Sequence, residues 1–475
     1  MSFPNRLLRP AEQRLASLPL PCSLVLPGGQ RLGAARPRLA FIVHDLRALL
    51  HLARGAIGRL AEEYVEGRLE IEGDMRDLMA TAPALFGNDP TQAARRWWRR
   101  LVQRTQRQVW EHTHHSRQKD STQIQQHYDV SDDFYALWLD PKRVYSCAYF
   151  ANPAMTLAEA QEAKLDQICK KLRLRYGERF IDIGAGWGGL LYWAAENYGV
   201  DATGITLSLN LYEYEYVSRL IQQKGLQGRV RILPQDYRDV DEAMPFDKVA
   251  SVGMSEHVGR PNLVRYFAKI RRLLKPGGLM MNHCITAAGT DSSQVDGGMA
   301  DFIDRYIFPG GQLVHVGLIL GAMARANLEP LDAECLRPHY AQTLWHWVDA
   351  LELNLGEARR VLGADAEKVI RAYRLYLAGS AMGFEQGWTS LFQILASRPD
   401  GVVEPHETHR SRLCAMQSRY PFNRTYMSDH GSRSLADYRG SGKPAVSGSL
   451  RHDVVSTDDD IHRASPVRSR ACKSE

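Results

Sequence analysis

The sequence predicts an α/β fold: a parallel sheet covered by helices on both faces, with helical additions and a small α+β unit in front of it. Three observations predict it. From Arg179 onward, strand-like apolar runs alternate with helix-like stretches, a pattern that implies right-handed crossovers between parallel strands. A glycine-rich loop at residues 184–189 separates the first of these runs from the first helix. A KPGG turn at 275–278 then precedes a strongly apolar strand.

The elements follow in order. Residues 180–183 read as a strand, 189–198 as a helix, and 202–205 as a strand followed by a helix that ends near Gly225. Residues 230–233, 248–252 and 279–285 are further strands, with a helix from about 262 to 274 between the last two. Residues 345–353 and 366–377 read as later helices. Ahead of this body, residues 1–90 form the accessory unit. There 40–52 reads as strand then helix, 64–79 alternates apolar and polar at Val65, Leu69 and Ile71, and Asp74 is placed to cap a helix.

Residues 91–122 are a basic stretch read as a helical linker, in which Trp97, Leu101 and Arg104 recur at helical spacing with Trp98 alongside. Interleaved Trp and Arg suit a membrane interface, and equally a solvated linker whose tryptophans dock on a neighbouring domain. His112, His114 and His115 lack a Cys or carboxylate at ligand spacing and read as surface histidines, so no metal is expected. Residues 123–402 are the body. Residues 403–475 are poor in large apolar side chains and are expected to stay unfolded.

Bulk properties narrow the class. A chain of 475 residues with 44% hydrophobic content is globular and long enough for several domains. It has no run of about eighteen apolar residues and no compact apolar segment with a small-residue cleavage site at the start, so neither a membrane span nor a secretory signal is expected. Seven scattered cysteines without CxxC spacing read as reduced cytosolic thiols. A net charge of +6 is mildly basic and fits an anionic surface without requiring one.

The loop DIGAGWGG at 182–189 lets the backbone turn sharply and approach a ligand. By itself it fits NAD, FAD, S-adenosylmethionine or a purely structural turn. The context selects. The NAD pattern wants an acid at the end of the second strand, and that strand ends TGITLS. KPGG and an acid after the third strand, Asp236, are instead habits of S-adenosylmethionine methyltransferases. Nucleic-acid methyltransferase signatures, a Pro-Cys nucleophile or an NPPY-type tetrad, are absent, and no nucleic-acid partner is expected.

The segment QHYDVSDDFYALWLDPKRVYSCAYF at 126–150 resembles the cyclopropane-fatty-acyl-phospholipid synthases and the related mycolic acid cyclopropane synthases. So do GAGWGG, GITLS (204–208), SVGMSEHVG (251–259), NHCIT (282–286), IFPGG (307–311), HYAQTLWHW (339–347) and YLAGSAMGFEQGW (376–388). The resemblance runs from about 123 to 398, and EGDMRDL resembles the N-terminal domain of the phospholipid-acting members. It implies a Rossmann-like fold and transfer of a carbon from S-adenosylmethionine to a cis double bond of a phospholipid acyl chain. A cyclopropane ring would close through a carbocation deprotonated by bound bicarbonate. The enzyme would be cytoplasmic and peripheral to the inner face of the membrane, with a homodimer allowed but not required.

The resemblance also nominates residues. Glu256 and His283 would hold the bicarbonate, Tyr340 would donate its hydroxyl, Cys147 its backbone amide and Ile285 its carbonyl. Taken singly, Glu256 also reads as a helix cap, His283 as a core histidine and Tyr340 as packing. Tyr128, Tyr145 and Ser146 would face the amino-acid and sulfonium side of the cofactor. Gly184 and Gly186 would lie under it, with Thr206, Gln235 and Asp236 near ribose and adenine. Three positions depart from the family: Leu211 replaces a ribose-binding Gln, Ser255 replaces a larger residue and is expected to open the acyl tunnel, and Ala185 replaces a Cys. Methylation without ring closure, and a lipid-binding homologue with an inert site, are the rival readings.

Overall fold

The computed structural model describes residues 12–13, 15–54, 57–86, 131–206, 211–289, 299–400 and 425–427. The 91–122 stretch, Tyr128 and nearly all of 403–475 lie outside them.

The accessory unit is built from β1 (Cys22–Val25), β2 (Arg31–Gly33), β3 (Leu39–Val43), helices α1 (Leu46–Arg54) and α2 (Ile57–Val65), β4 (Leu69–Glu72) and α3 (Met75–Phe86). Its sheet has the order β2-β1-β3-β4, with β1 and β3 parallel and the other pairs antiparallel. The strand-then-helix reading of 40–52 corresponds to β3 and α1. Asp74 accepts from the Arg76 amide at 2.6 Å, as a cap at the start of α3 should.

The body opens with α4 (Asp132–Ala136) and α5 (Leu157–Lys171). A capping box starts α5: the Glu159 amide donates to Thr156 Oγ1 and the Thr156 amide to Glu159 Oε2. Then come β5 (Arg179–Ile183), α6 (Gly189–Tyr198), β6 (Asp201–Thr206), α7 (Leu211–Gln223), β7 (Val230–Pro234), β8 (Phe246–Val252), the short α8 (Ser255–Val258), α9 (Leu263–Leu273) and β9 (Leu274–Ala287). The chain closes with α10 (Met299–Tyr306), α11 (Val316–Arg325), β10 (Glu329–Cys335), α12 (Arg337–Leu353), α13 (Leu355–Leu362), α14 (Ala366–Glu385) and β11 (Thr389–Ser397).

Seven strands form one sheet in the order β10-β11-β9-β8-β5-β6-β7. It is Rossmann-like and mostly parallel, as expected, with two antiparallel strand pairs added at one edge. The run β9-β8-β5-β6-β7 is parallel, whereas β11 is antiparallel to both β9 and β10. The KPGG segment is no separate turn. It bulges within β9, where Phe246 pairs with Leu274 but Lys248 pairs with Leu279, and Gly277 takes a φ of 75°.

The chain leaves β5 for β6 on one side and later returns to place β8 on the other. The carboxyl ends of β5 and β8 therefore flank the topological switch point, where open α/β sheets bind ligands. One hydrophobic core continues from the accessory unit into the helical layer of α12 and α14. Arg374 donates to the Tyr64 hydroxyl at 2.8 Å, Tyr306 to Glu66 at 2.9 Å, and Arg76 pairs with Asp349 at 2.5 Å. Within the segment expected to stay unfolded, residues 425–427 form a 3-10 turn that buries Met427 against the core under β5 to β7.

Gly204 shows how closely the sheet and its helices approach. A Cβ there would overlap Leu191 of α6 and come within 2.8 Å of Ile232 and 2.9 Å of the Ala185 side chain. Gly204→Ala is therefore expected to lower stability by about 1–3 kcal/mol, the usual cost of overpacking, measured by denaturant unfolding. An unchanged midpoint would show that this layer gives way freely.

Candidate active site

The glycine loop leaves β5 with a geometry that depends on glycine. Gly184 has a φ of 84° and Gly188 a φ of 77°, in the left-handed region that favours glycine. The amides of Gly184 and Ala185 both donate to the Ile205 carbonyl, at 2.9 and 3.0 Å, which pins the loop beneath β6. A Cβ on Gly184 would stand 3.6 Å from Met254, just after β8, so the backbone is open across the switch point; around Gly186 nothing lies within 4 Å. Trp187 Nε1 donates to Asp132 at 3.2 Å and ties the loop to α4.

The segment after α4 crosses this opening. Gln161 Nε2 donates to the carbonyls of Val144 and Ser146, at 3.1 and 2.8 Å, and Lys164 Nζ donates to Ser146 Oγ at 2.8 Å. Tyr145 is walled by Tyr135, Trp138 and Trp347, each with ring centroids 5.4 Å away, and stacks with Phe308 at 6.5 Å. Burial pushes the Lys164 ammonium down, to about 8, and the Asp182 carboxyl up, to about 7, with their mutual attraction opposing both shifts. Asp182 Oδ1 is buried and has no hydrogen-bond partner among the described residues.

The remaining groups gather at the carboxyl ends of β8 and β9. β8 pairs with β9 as far as Val252 against His283, and then ends. Beyond that point the Ile285 amide has no strand to bond, and Glu256 Oε1 accepts from it at 2.7 Å. In a strand the amide and carbonyl of one residue face the same neighbour, so the Ile285 carbonyl also faces the place β8 has left. Burial pushes the Glu256 carboxyl up to about 7, with the Ile285 amide pulling it back. Its Oε2 is buried and unpartnered among the described residues, as is Nε2 of His283. Burial first, then Lys164 and Lys171, hold the His283 pKa well below the usual imidazole range, so this ring is neutral near pH 7.

Tyr340 and Cys147 are linked to β9 indirectly, through the start of α12 and β11. Leu336, at its start, donates its amide to Leu391 of β11 at 2.8 Å, and Leu391 stands opposite Ile285. The Tyr340 amide bonds the Leu336 carbonyl at 3.1 Å, and Cys147 Sγ lies 3.9 Å from that same carbonyl. The Ala148 amide donates to Thr343 Oγ1 at 3.0 Å, one turn beyond Tyr340. The Tyr340 ring leans on Phe384, centroids 4.7 Å apart. Burial pushes the Cys147 thiol up, which makes it a poor nucleophile.

Thus Glu256 meets the Ile285 amide directly and His283 precedes Ile285 by two residues on β9, while Tyr340 and Cys147 are tied to this end of the sheet through Leu336 and Leu391. Thr206 closes β6, where its carbonyl accepts from the Gln235 amide at 3.1 Å. Gln235 and Asp236 follow β7 at the far side of the crevice. Their side chains are already engaged: Gln235 donates to the Asp239 carbonyl at 2.9 Å, and both Asp236 oxygens accept from Arg238. Leu211 opens α7. Ser255 opens the short helix α8. Its hydroxyl is buried and donates to Asn282 Oδ1 at 2.9 Å, on the face of β9 opposite His283. Asp182, Lys164, Lys171 and Gln393 were missed. Asp182 and Gln393 are polar residues inside otherwise apolar strands, which is the signal that marks them, whereas Lys164 and Lys171 share a mixed stripe of α5 with Gln161 and Gln167.

Comparison with known proteins gives a consistent picture. The profile of the family described as mycolic acid cyclopropane synthetase matches residues 115–394. A probable fatty acid methyltransferase of Pseudomonas putida is 41% identical over 391 residues, which cover 81% of this chain and 94% of that protein. The solved cyclopropane synthase MmaA2 from Mycobacterium tuberculosis is 33% identical with a TM-score of 0.55, covering 58% of this chain and 98% of that one. The mycolic acid cyclopropane synthase CmaA1, solved with SAH and CTAB, is 34% identical with a TM-score of 0.54 and the same coverage.

Proposed function

Because the chain belongs to the mycolic acid cyclopropane synthetase family of S-adenosylmethionine-dependent methyltransferases, we propose that it builds cyclopropane rings on cis-unsaturated acyl chains of membrane phospholipids. One observation carries the reading. Two buried polar atoms, Glu256 Oε2 and His283 Nε2, have no hydrogen-bond partner among the described residues, and both belong to the end of β8 and β9 beside the glycine loop. Unpaired buried polar atoms are costly, so a pair of them beside a ligand crevice fits a small polar guest.

The residues present fit both expected groups. The side-chain-free backbone at Gly184 and Gly186, with Ser146 and Tyr145 opposite, suits S-adenosylmethionine. The Glu256, His283 and Tyr340 side chains, with the Cys147 amide and Ile285 carbonyl, suit bicarbonate. When bound, S-adenosylmethionine supplies the carbon and bicarbonate supplies a weak base. The chain's own residues do the rest. Glu256 takes up a proton at Oε2, the oxygen Ile285 does not engage, and His283 and Tyr340 orient the anion. The rings around Tyr145 exclude water and present π faces to positive charge on the acyl chain.

A membrane partner agrees with the net charge of +6 and with the family's lipid chemistry. Among the described residues no helix is long and apolar enough to cross a membrane; the cytoplasmic, peripheral placement we propose rests on the proposed lipid substrate. The name of the Pseudomonas putida relative favours a second reading, methylation without ring closure.

The test uses purified protein, S-adenosylmethionine, bicarbonate and liposomes with cis-unsaturated chains. The expected product gains one CH2 per modified chain, and proton NMR of the extracted lipid shows ring protons upfield of any open chain. A methyl-branched product selects the second reading. Unaltered lipid from folded, cofactor-loaded protein rejects both.

A further inference from the structure

Behind His283 a chain of buried polar groups crosses from helix to sheet. Lys171, the last residue of α5, is buried and ion-paired with Glu334 of β10. Its Nζ also donates to Gln393 Oε1 at 2.8 Å. Gln393 is fully buried on β11, and its register partner on β9 is His283. Its Nε2 lies 3.3 Å from His283 Nδ1.

The donor and acceptor roles along this chain follow from chemistry. An ammonium only donates, so the amide oxygen of Gln393 must face Lys171. The amide nitrogen, which also only donates, is then left facing Nδ1. Nδ1 must accept, and the single proton of a neutral imidazole resides on Nε2. We propose that Glu334, Lys171 and Gln393 are positioning residues that lock His283 in its Nε2–H tautomer, so that the site presents a hydrogen-bond donor to an anionic guest. A free imidazole in the other tautomer would present a lone pair to that anion and repel it. The arrangement works as an ordered pair of bonds, since only Lys171 decides which end of the symmetric-looking amide points at the ring. The identity of the guest as bicarbonate rests on the function proposed above; the tautomer does not.

Nitrogen-15 NMR of the full chain labelled at histidine tests this directly, with His283→Gln used to assign the His283 signals. In the unaltered protein Nε2 is expected to carry the proton and Nδ1 to resonate as an unprotonated nitrogen. Gln393→Glu is nearly isosteric, but its carboxylate accepts from both Lys171 and the ring, so the proton is expected to move to Nδ1. The same variant should need roughly 10- to 100-fold more bicarbonate for half-maximal activity, the factor expected for one charge-assisted hydrogen bond. Its S-adenosylmethionine affinity, read by calorimetry, should stay unchanged. A merely structural Gln393 would move both affinities together and leave the proton where it was.

An unaltered protein with the proton on Nδ1, or with both nitrogens protonated, overturns the proposal without recourse to any variant. So does a Gln393→Glu protein that keeps Nε2–H. A tautomer switch accompanied by activity that ignores bicarbonate would instead overturn the assignment of the base and leave the positioning role standing.

Discussion

Glu256→Gln is expected to cut turnover on cis-unsaturated lipid by about 10²–10⁴-fold, the range for loss of an acid–base group, while making the protein more stable at alkaline pH. The two effects have one cause. Gln keeps the oxygen that accepts from the Ile285 amide but cannot take up a proton at the second position. In the unfolded chain the Glu256 carboxyl titrates in the ordinary range; in the fold, burial raises it to about 7. Between those values the folded state holds the proton more tightly, so this group's contribution to stability falls as pH rises through the window and stays low above about 7. Removing the charge is therefore expected to gain roughly 1–3 kcal/mol at pH 8 and nothing near pH 4. For the same reason wild-type activity should decline below about pH 7 as Glu256 loses its charge, and the residual rate of the variant should lack that limb. Denaturant unfolding at both pH values and a pH–rate profile check the two halves. A variant with near-normal turnover would remove Glu256 from the chemistry, whatever happened to its stability.

That trade between activity and stability is what a site built from ill-satisfied groups should show. Such groups were only half legible in the sequence. Glu256, His283 and Tyr340 lie in motifs whose order along the chain already suggested one site, and the β5–loop–α6 unit was legible because an apolar run, glycines and a helix follow one another within twenty residues. What escaped depended on pairing between distant strands. β11 follows a motif that draws attention to its glycines, and nothing in its apolar run announces an antiparallel partner. Gln393 gains meaning only from a register that sets it against His283, and Lys171 only from a helix end that reaches both Gln393 and Glu334. The first half of α12 was hidden by Pro338, tolerated there because it sits in the first turn, where no intrahelical amide bond is lost. The bond from Ser255 to Asn282, on the face of β9 opposite His283, likewise depends on the placing of β9 beside the end of β8 and was not legible.

The largest effect on stability is expected at Trp138. It is buried just after α4, and its ring meets Phe134 at 6.1 Å, Tyr135 at 5.3 Å, Tyr145 at 5.4 Å, Trp347 at 5.7 Å and Tyr373 at 6.0 Å. These partners come from α4, α12, α14 and the irregular segment that carries Ser146, so one side chain fills the junction of the helical layer with the crevice. Trp138→Ala is expected to cost about 3–5 kcal/mol, the range for emptying a buried aromatic site. Trp138→Phe should cost much less than its lost volume implies. The indole Nε1 is buried without a partner among the described residues, and phenylalanine removes that unsatisfied group, which otherwise costs about 1–3 kcal/mol. Since Tyr145 leans on this ring and precedes Ser146 and Cys147, the alanine variant should also lose activity at temperatures where it is still folded, as the cage slackens and admits water. Urea unfolding of both variants, with turnover measured well below each midpoint, separates the two effects. A Phe cost as large as its lost volume implies would mean that Nε1 is satisfied in solution. Full activity in a folded Trp138→Ala protein would mean that the aromatic wall holds the helices together and has no part in shielding the reacting chain.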